Sequence, residues 1–300
     1  MNKKLFNGYY PSLEKMSLSR STECEDQDKY GSSYRLAFQD PEFLLRQEMR
    51  PIRLYLEMVK PELLMQDHGI ESTVVFFGSA RTLDPETAKQ RVFELQEQVE
   101  KDPGNKELRH KLARAKSHYE KSGYYEEARK LSRMISGCTD RNCLVAITGG
   151  GGGIMEAANK GAWEVGAPSI GLNIVLPREQ VPNEYIPSEL NFQMHYFAIR
   201  KMHFLMRAKG LVAFPGGFGT LDEVFETLTL LQTNKIDPIP VILFGRQFWD
   251  RVVNFQTLVE EGTIEEEDLD LFQYVESAEE AWEIISRYNG LQEDWGGIEE

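Results

Sequence analysis

Residues 197–231, FAIRKMHFLMRAKGLVAFPGGFGTLDEVFETLTLL, leave few folds open. Residues 211–214 form an apolar run bounded by Gly210 and Pro215. The run is too short for a helix and reads as a buried strand. Pro215-Gly216-Gly217-Phe218-Gly219 then turns the chain. Three glycines in four positions tolerate positive φ and let a ligand come close to the backbone. Thr220 is read as the N-cap of the helix that follows, with Leu221, Val224, Phe225, Leu228 and Leu231 at helical spacing. A glycine turn between a strand and a helix N-terminus presents free N–H groups and the positive end of a dipole. That suits phosphate or another anion.

The rest of the chain repeats this grammar. Residues 72–77 read as a first strand, followed by Gly78-Ser79-Ala80-Arg81. Further strands are expected at 144–147, 168–175, 192–196 and 239–244, with an edge strand at 271–275. Helical patterns lie between them, at 124–135, from Ile154, at 248–259 and at 278–287. Alternating strands and helices predict an α/β fold: a doubly wound, Rossmann-like, mostly parallel sheet with helices on both faces. Residues 84–122 depart from the pattern. They are highly charged, with a turn at Asp102-Pro103-Gly104-Asn105, and read as a helical hairpin inserted after the first strand. Its charges suit a solvated face. The expected organisation is an N-terminal, partly helical extension over 1–70, the main domain over 71–290, and an acidic tail over 291–300.

A second glycine loop follows residues 144–147. Thr148 and five consecutive glycines, Gly149 to Gly153, precede a helix that begins Ile154-Met155-Glu156. Each ordered glycine costs backbone entropy, so packing alone does not account for the run and a ligand against the backbone is expected. GxGxxG does not fit, GxxxxGK[ST] is absent, and no acid ends the next strand to bind a ribose. The loop therefore reads as a nucleotide or sugar-phosphate loop, not a dinucleotide one.

Pro215-Gly216-Gly217-x-Gly219-Thr220-x-x-Glu223, with Arg200-Lys201 on the preceding helix, resembles the LOG family. These are cytokinin-activating phosphoribohydrolases, often labelled lysine decarboxylases. The resemblance runs from about Thr73 to about Tyr288, and TGGGGGIMEAANKGA resembles the family's second motif. It implies hydrolysis of a nucleoside 5′-monophosphate, AMP or a cytokinin ribotide, to free base and ribose 5-phosphate, as in an AMP nucleosidase. It implies Arg200 and Glu223 as catalytic residues. Gly78, Ser79, Arg81, Gly150, Gly151, Gly152, Glu156, Lys201, Gly216, Gly217, Gly219 and Thr220 are implied around substrate and phosphate. Glu179, Gln180 and Asn183 resemble family positions in the loop after the third strand. A carboxylate near C1′ meets the positive charge that builds on ribose, or orients the attacking water. Arg200 is left between pairing with phosphate and stabilising the departing base. The chemistry calls for no metal and no cofactor, and the family is oligomeric, so a homodimer or higher assembly is expected.

Other readings compete. Thr220-x-x-Glu223 is also a capping box, which would make Glu223 a helix stabiliser. Glu156 in a first turn also suits the helix dipole. His195 stands at a strand end without a second histidine at metal-ligand spacing. A nucleotide-binding or molybdenum-cofactor carrier would use the same loops without the carboxylate. A pyridoxal-phosphate decarboxylase finds no Schiff-base context around Lys201 or Lys209. The formal charge of −14 argues against nucleic-acid backbones and anionic membranes as partners. Three cysteines, Cys24, Cys138 and Cys143, lie at no zinc or redox spacing, and with no apolar leader in residues 1–15 the protein is read as cytoplasmic.

Overall fold

Strands β1 (Thr73–Phe77), β2 (Val145–Thr148) and β3 (Ser169–Ile174) are buried at every residue. A strand covered on both faces is an apolar run, not an alternation, and this is how parallel sheets are read. The computed structural model describes residues 32–137, 144–176 and 181–291. Cys24, Cys138, Cys143, Glu179, Gln180 and the tail beyond Leu291 lie outside the described residues.

Four more strands follow: β4 (Asn191–Met194), β5 (Ala208–Ala213), β6 (Val241–Phe244) and β7 (Gln273–Val275). They complete one seven-stranded sheet in the order β4-β3-β2-β1-β5-β6-β7, parallel throughout. The order reverses between β1 and β5, and in open α/β sheets the crevice beyond the strand ends at such a reversal holds the ligand. The expected doubly wound α/β fold is therefore the observed one.

The described chain divides into two compact units, Met1–Leu56 and Glu57–Glu300. The boundary falls within helix α1 (Arg50–Asp67). In the first unit Asp40 caps a one-turn helix, accepting from the N–H groups of Glu42 and Phe43 at 3.1 Å each. Arg53 donates to the carbonyls of Leu44 and Arg46.

In the second unit, residues 84–122 form the expected hairpin of α2 (Pro85–Lys101) and α3 (Lys106–Glu120). Asp84 caps α2 through the Thr87 N–H, and Asn105 caps α3 through Glu107 and Leu108. Each hairpin helix buries a single alanine, Ala88 or Ala115. Helices α4 (Gly123–Ser136) and α5 (Ile154–Glu164) then cover the sheet face that carries Val74 and Phe76. The other face, with Val75 and Phe77, is covered by α6 (Phe197–Met206) and α7 (Phe218–Gln232), and by α8 (Arg246–Val252) and α9 (Phe255–Glu260) beyond β6. Helix α10 (Ala278–Tyr288) closes the first face through Ala281 and Ile285. No described helix is long and apolar enough to cross a membrane.

Helices α4 and α5 bury small residues in one cluster, Ala128 on α4 and Ala157 and Ala158 on α5, and Gly161 of α5 lies against α4. A Cβ on Gly161 would lie 2.1 Å from the Arg129 carbonyl oxygen and 3.0 Å from Ser132 Cβ. The obstacle is backbone, so the helices would have to separate. Gly161→Ala is expected to lower stability by about 1–3 kcal/mol, the usual cost of overpacking. Urea unfolding checks this, and an unchanged or raised midpoint would contradict the close crossing.

Candidate active site

Three loops meet beyond the strand ends at the reversal. The peptide of Ser79, after β1, joins the other two: its N–H donates to Pro215 O at 3.1 Å, and its carbonyl accepts from Ile154 N–H at 3.2 Å. The Ser79 hydroxyl accepts from the Arg81 N–H at 3.1 Å, and Arg81 is exposed. Gly78 packs directly on Ile154, whose side-chain carbons would lie about 2.7 Å from an added Cβ.

The five glycines divide by cause. A Cβ on Gly149 would fall 2.5 Å from an Arg200 Nη and 2.8 Å from Met155 Sδ. Gly150 has φ +75° and faces the Asn173 amide, and Gly153 has φ +68° with its Cβ position 2.3 Å from Ser79 O. Packing and backbone conformation thus account for glycine at these three positions. Gly152 differs, since its nearest neighbour would be 3.6 Å away.

Behind the loop lies a buried polar network that sequence reasoning missed. Thr148 Oγ1 donates to Asn159 Oδ1 at 2.8 Å and accepts from Gly150 N–H at 3.0 Å. Asn159 Nδ2 donates to Ser169 Oγ at 2.9 Å. Asn183, beyond β3, donates to the Gly151 carbonyl at 2.9 Å, and its N–H reaches Gly150 O at 2.9 Å. An asparagine within an apolar helical stretch, AANKGA, was the available signal, because a buried amide needs partners. Tyr125 was also missed: its buried hydroxyl donates to Glu156 Oε1 at 2.8 Å.

The loop after β5 is built differently. Helix α7 begins at Phe218 with Gly217 as its N-cap, so Thr220 is its third residue. The expected N-cap at Thr220 and the capping box to Glu223 are therefore not formed, because the glycine turn tightens into helix three residues earlier. Thr220 is buried, with its hydroxyl packed against Gly216. The first helical hydrogen bond is Leu221 N–H to Gly217 O at 3.0 Å, and no side chain caps the N–H groups before it. Gly217 and Gly219 have negative φ and nothing within 4 Å of a Cβ position. Neither internal packing nor backbone conformation asks for glycine at either place.

Glu223 lies one turn further along α7 and is 7% exposed. Burial pushes its carboxyl up to about 7, opposed by Lys201 and Arg200 and assisted by Glu226 and Asp222. Arg200, on α6, donates from Nε to Leu172 O at 2.8 Å and lies 5.2 Å over the Phe204 ring. Burial holds its pKa below the usual value, and Glu223 works against that. A guanidinium stays charged nonetheless, and this one keeps N–H donors beyond those already engaged. Lys201 turns toward α7, where its ammonium pairs with Asp222 at 2.9 Å and Glu226 at 3.0 Å. His195 gives its backbone N–H to Glu57 and sets its ring against Tyr196. Among the described residues no group of three His, Cys, Asp or Glu side chains is placed to hold a metal.

Comparison with known proteins agrees with the loops. Residues 155–285 match a family model described as "Possible lysine decarboxylase". The cytokinin riboside 5′-monophosphate phosphoribohydrolase LOG3 of Arabidopsis thaliana is 25% identical over 175 residues, covering 57% of this chain and 79% of that protein. LOG4 of the same plant is 27% identical over 177 residues, 57% of this chain and 77% of that protein. Among solved structures, a molybdenum-cofactor carrier protein from Chlamydomonas reinhardtii is 16% identical, with a TM-score of 0.42 over 74% of this chain and 99% of that one. That likeness is too loose to bear on function. Residues 155–285 thus resemble the family described as possible lysine decarboxylase, and over somewhat more than half its length the chain is similar to LOG phosphoribohydrolases.

Proposed function

We propose that the protein hydrolyses the N-glycosidic bond of a nucleoside 5′-monophosphate, AMP or a cytokinin ribotide, releasing the free base and ribose 5-phosphate. The observation that carries this reading is the uncapped start of α7. Two glycines there have open space in front of them, one helical turn from a buried carboxylate. Free N–H groups and the helix dipole suit the 5′-phosphate. The relatives' names, which specify riboside 5′-monophosphates, support the same substrate class.

In this reading Gly216, Gly217, Gly219 and Thr220 bind the phosphate, with Ser79 and Arg81 at its side. Gly150, Gly151 and Gly152, with Glu156 behind them, line the same mouth. Glu223 faces the ribose as an anion. As the C1′–N bond breaks, its electron pair leaves with the base and positive charge builds on the ribose ring. The carboxylate, itself buried, lowers the energy of that charge. Water adds at C1′, and the proton it loses balances the one the base gains. Arg200 holds the nucleotide with its remaining donors. Lys201 contributes through the field it and Arg200 exert on Glu223.

Two comparisons test this. AMP should yield adenine and ribose 5-phosphate by chromatography, and adenosine should turn over far more slowly. Gly219→Ala should leave the fold intact, and even gain up to about 1 kcal/mol, because Ala is favoured over Gly within a helix. Its methyl would project into the open phosphate position and lower kcat/KM for AMP by on the order of tenfold or more, a loss of about 1.4 kcal/mol. Equal kcat/KM for AMP and adenosine, or full activity in Gly219→Ala, would reject the phosphate site. Nucleotide binding without any product would favour a carrier.

We also propose a homodimer or larger assembly. Helices α6 and α7 lie side by side through the Lys201 ion pairs and leave Phe197, Met202, Met206, Phe218 and Phe225 exposed. Apolar surface of this kind is usually covered. Light scattering at micromolar concentration should give at least twice the 34.5 kDa chain mass. A monomer mass would refute this.

A further inference from the structure

The inserted hairpin places cations beside the glycine loop of α7. A cavity of about 240 Å³ opens there, bounded by Ser79 and Arg81, by Gly216 and Gly217, and by His118 and Lys121. His118 is the third residue from the end of α3, and Lys121 immediately follows that helix. Two more cations, Arg114 of α3 and Arg91 of α2, lie close enough to bear on the His118 ring, together with Lys121 and Arg81. Burial and these four cations hold its imidazole below the usual range. No ion pair joins Arg81, Arg91, Arg114, His118 or Lys121 to an Asp or Glu among the described residues. No Asp or Glu lines the cavity; Glu276, which bears on Tyr124, accepts from the Arg246 N–H. Arg81, His118 and Lys121 thus line one small cavity without an acid partner, in a chain of net charge −14.

The cavity is below the roughly 300–1,000 Å³ usual for a whole ligand of drug size, so it suits one anionic group. Its position orders the ligand. Tyr124 of α4 and Phe248 of α8 also line it, one from each side of the sheet. Gly216 and Gly217 bound it on the side of α7, which carries Glu223, and His118 and Lys121 bound it on the side of the hairpin. A ribose at Glu223 and a 5′-phosphate on the glycine loop would thus direct any further phosphate into the cavity.

We infer that the hairpin builds a second anion subsite next to the first, for the β-phosphate of a nucleoside 5′-diphosphate. This rests on the 5′-phosphate position proposed above. His118 and Lys121 would donate charge-assisted hydrogen bonds to the terminal phosphate, with Arg81 between the two phosphates and Arg91 and Arg114 adding to the field. The hairpin's role then lies in ligand choice and not in the bond-breaking step.

Calorimetric titration of the full chain with ADP and AMP at low salt tests this, alongside AMP turnover. Wild type should bind ADP on the order of tenfold more tightly than AMP. His118→Gln/Lys121→Gln should lose that preference and keep AMP affinity and AMP turnover near wild type. Lys121→Gln alone should lose part of it. Equal affinities in wild type, or an ADP preference that survives the double substitution, would overturn the subsite. Those results with AMP hydrolysis intact would leave the hydrolase reading standing. An ADP preference that depends on His118 and Lys121, without hydrolysis of AMP, would do the reverse.

Discussion

The peptide unit of Ser79 holds the site together. It gives its N–H to the loop after β5 and its carbonyl to the first turn of α5, so three strand ends are joined through one residue. This is possible because all seven strands run parallel and β1 lies at the centre of the order. Every strand-to-helix loop then emerges on one edge, and those of β1, β2 and β5 are neighbours. Gly153 must be glycine for the join to close, since a Cβ there would meet the Ser79 carbonyl. The chemistry of the site is thus placed by backbone hydrogen bonds, which do not depend on flexible side chains.

The two glycine loops look alike in sequence and do different work. The loop after β2 is mainly architectural. Gly149 makes room for the Arg200 guanidinium, Gly150 and Gly153 adopt positive φ, and the Thr148–Asn159–Asn183 network holds the loop from behind. The loop after β5 keeps open glycines at positions 217 and 219, where the fold makes no demand for them. Packing and conformation account for most of the first loop and leave Gly217 and Gly219 of the second without an internal cause. Arg200 connects the two, because its position depends on Gly149 and its charge acts on Glu223.

Much of this was legible in the sequence. Apolar runs with glycine punctuation identified the strands, since a sheet covered on both faces needs no alternation. The charged, glycine-poor stretch after β1 was readable as a hairpin. The start of α7 was not: Thr220 is a favourable N-cap by type, but the helix begins at Phe218 behind Gly217, which has no side chain to cap it. The burial of Glu223 could not be read either, because a residue at one helical turn from a motif shows its face only once the helix is packed. Lys201 follows Arg200 directly, and on a helix adjacent residues point about 100° apart. It therefore meets the acids of α7 while Arg200 meets the glycine loop. The cations at the hairpin's end were visible only as part of a mixed charged surface, and it is the fold that gathers them at one cavity.

The central claim is that the buried carboxylate of Glu223 acts as an anion on the ribose. Its burial raises the carboxyl pKa to about 7, so the charged form dominates only above that pH. The direct measurement is kcat/KM for AMP against pH, in wild type and Glu223→Gln, with circular dichroism to establish the fold. The account predicts a wild-type rate that rises through about pH 7. It predicts a variant that is folded and slower by roughly 10²-fold or more, without that rise. A folded Glu223→Gln protein with near-normal kcat/KM and the same pH profile would contradict it.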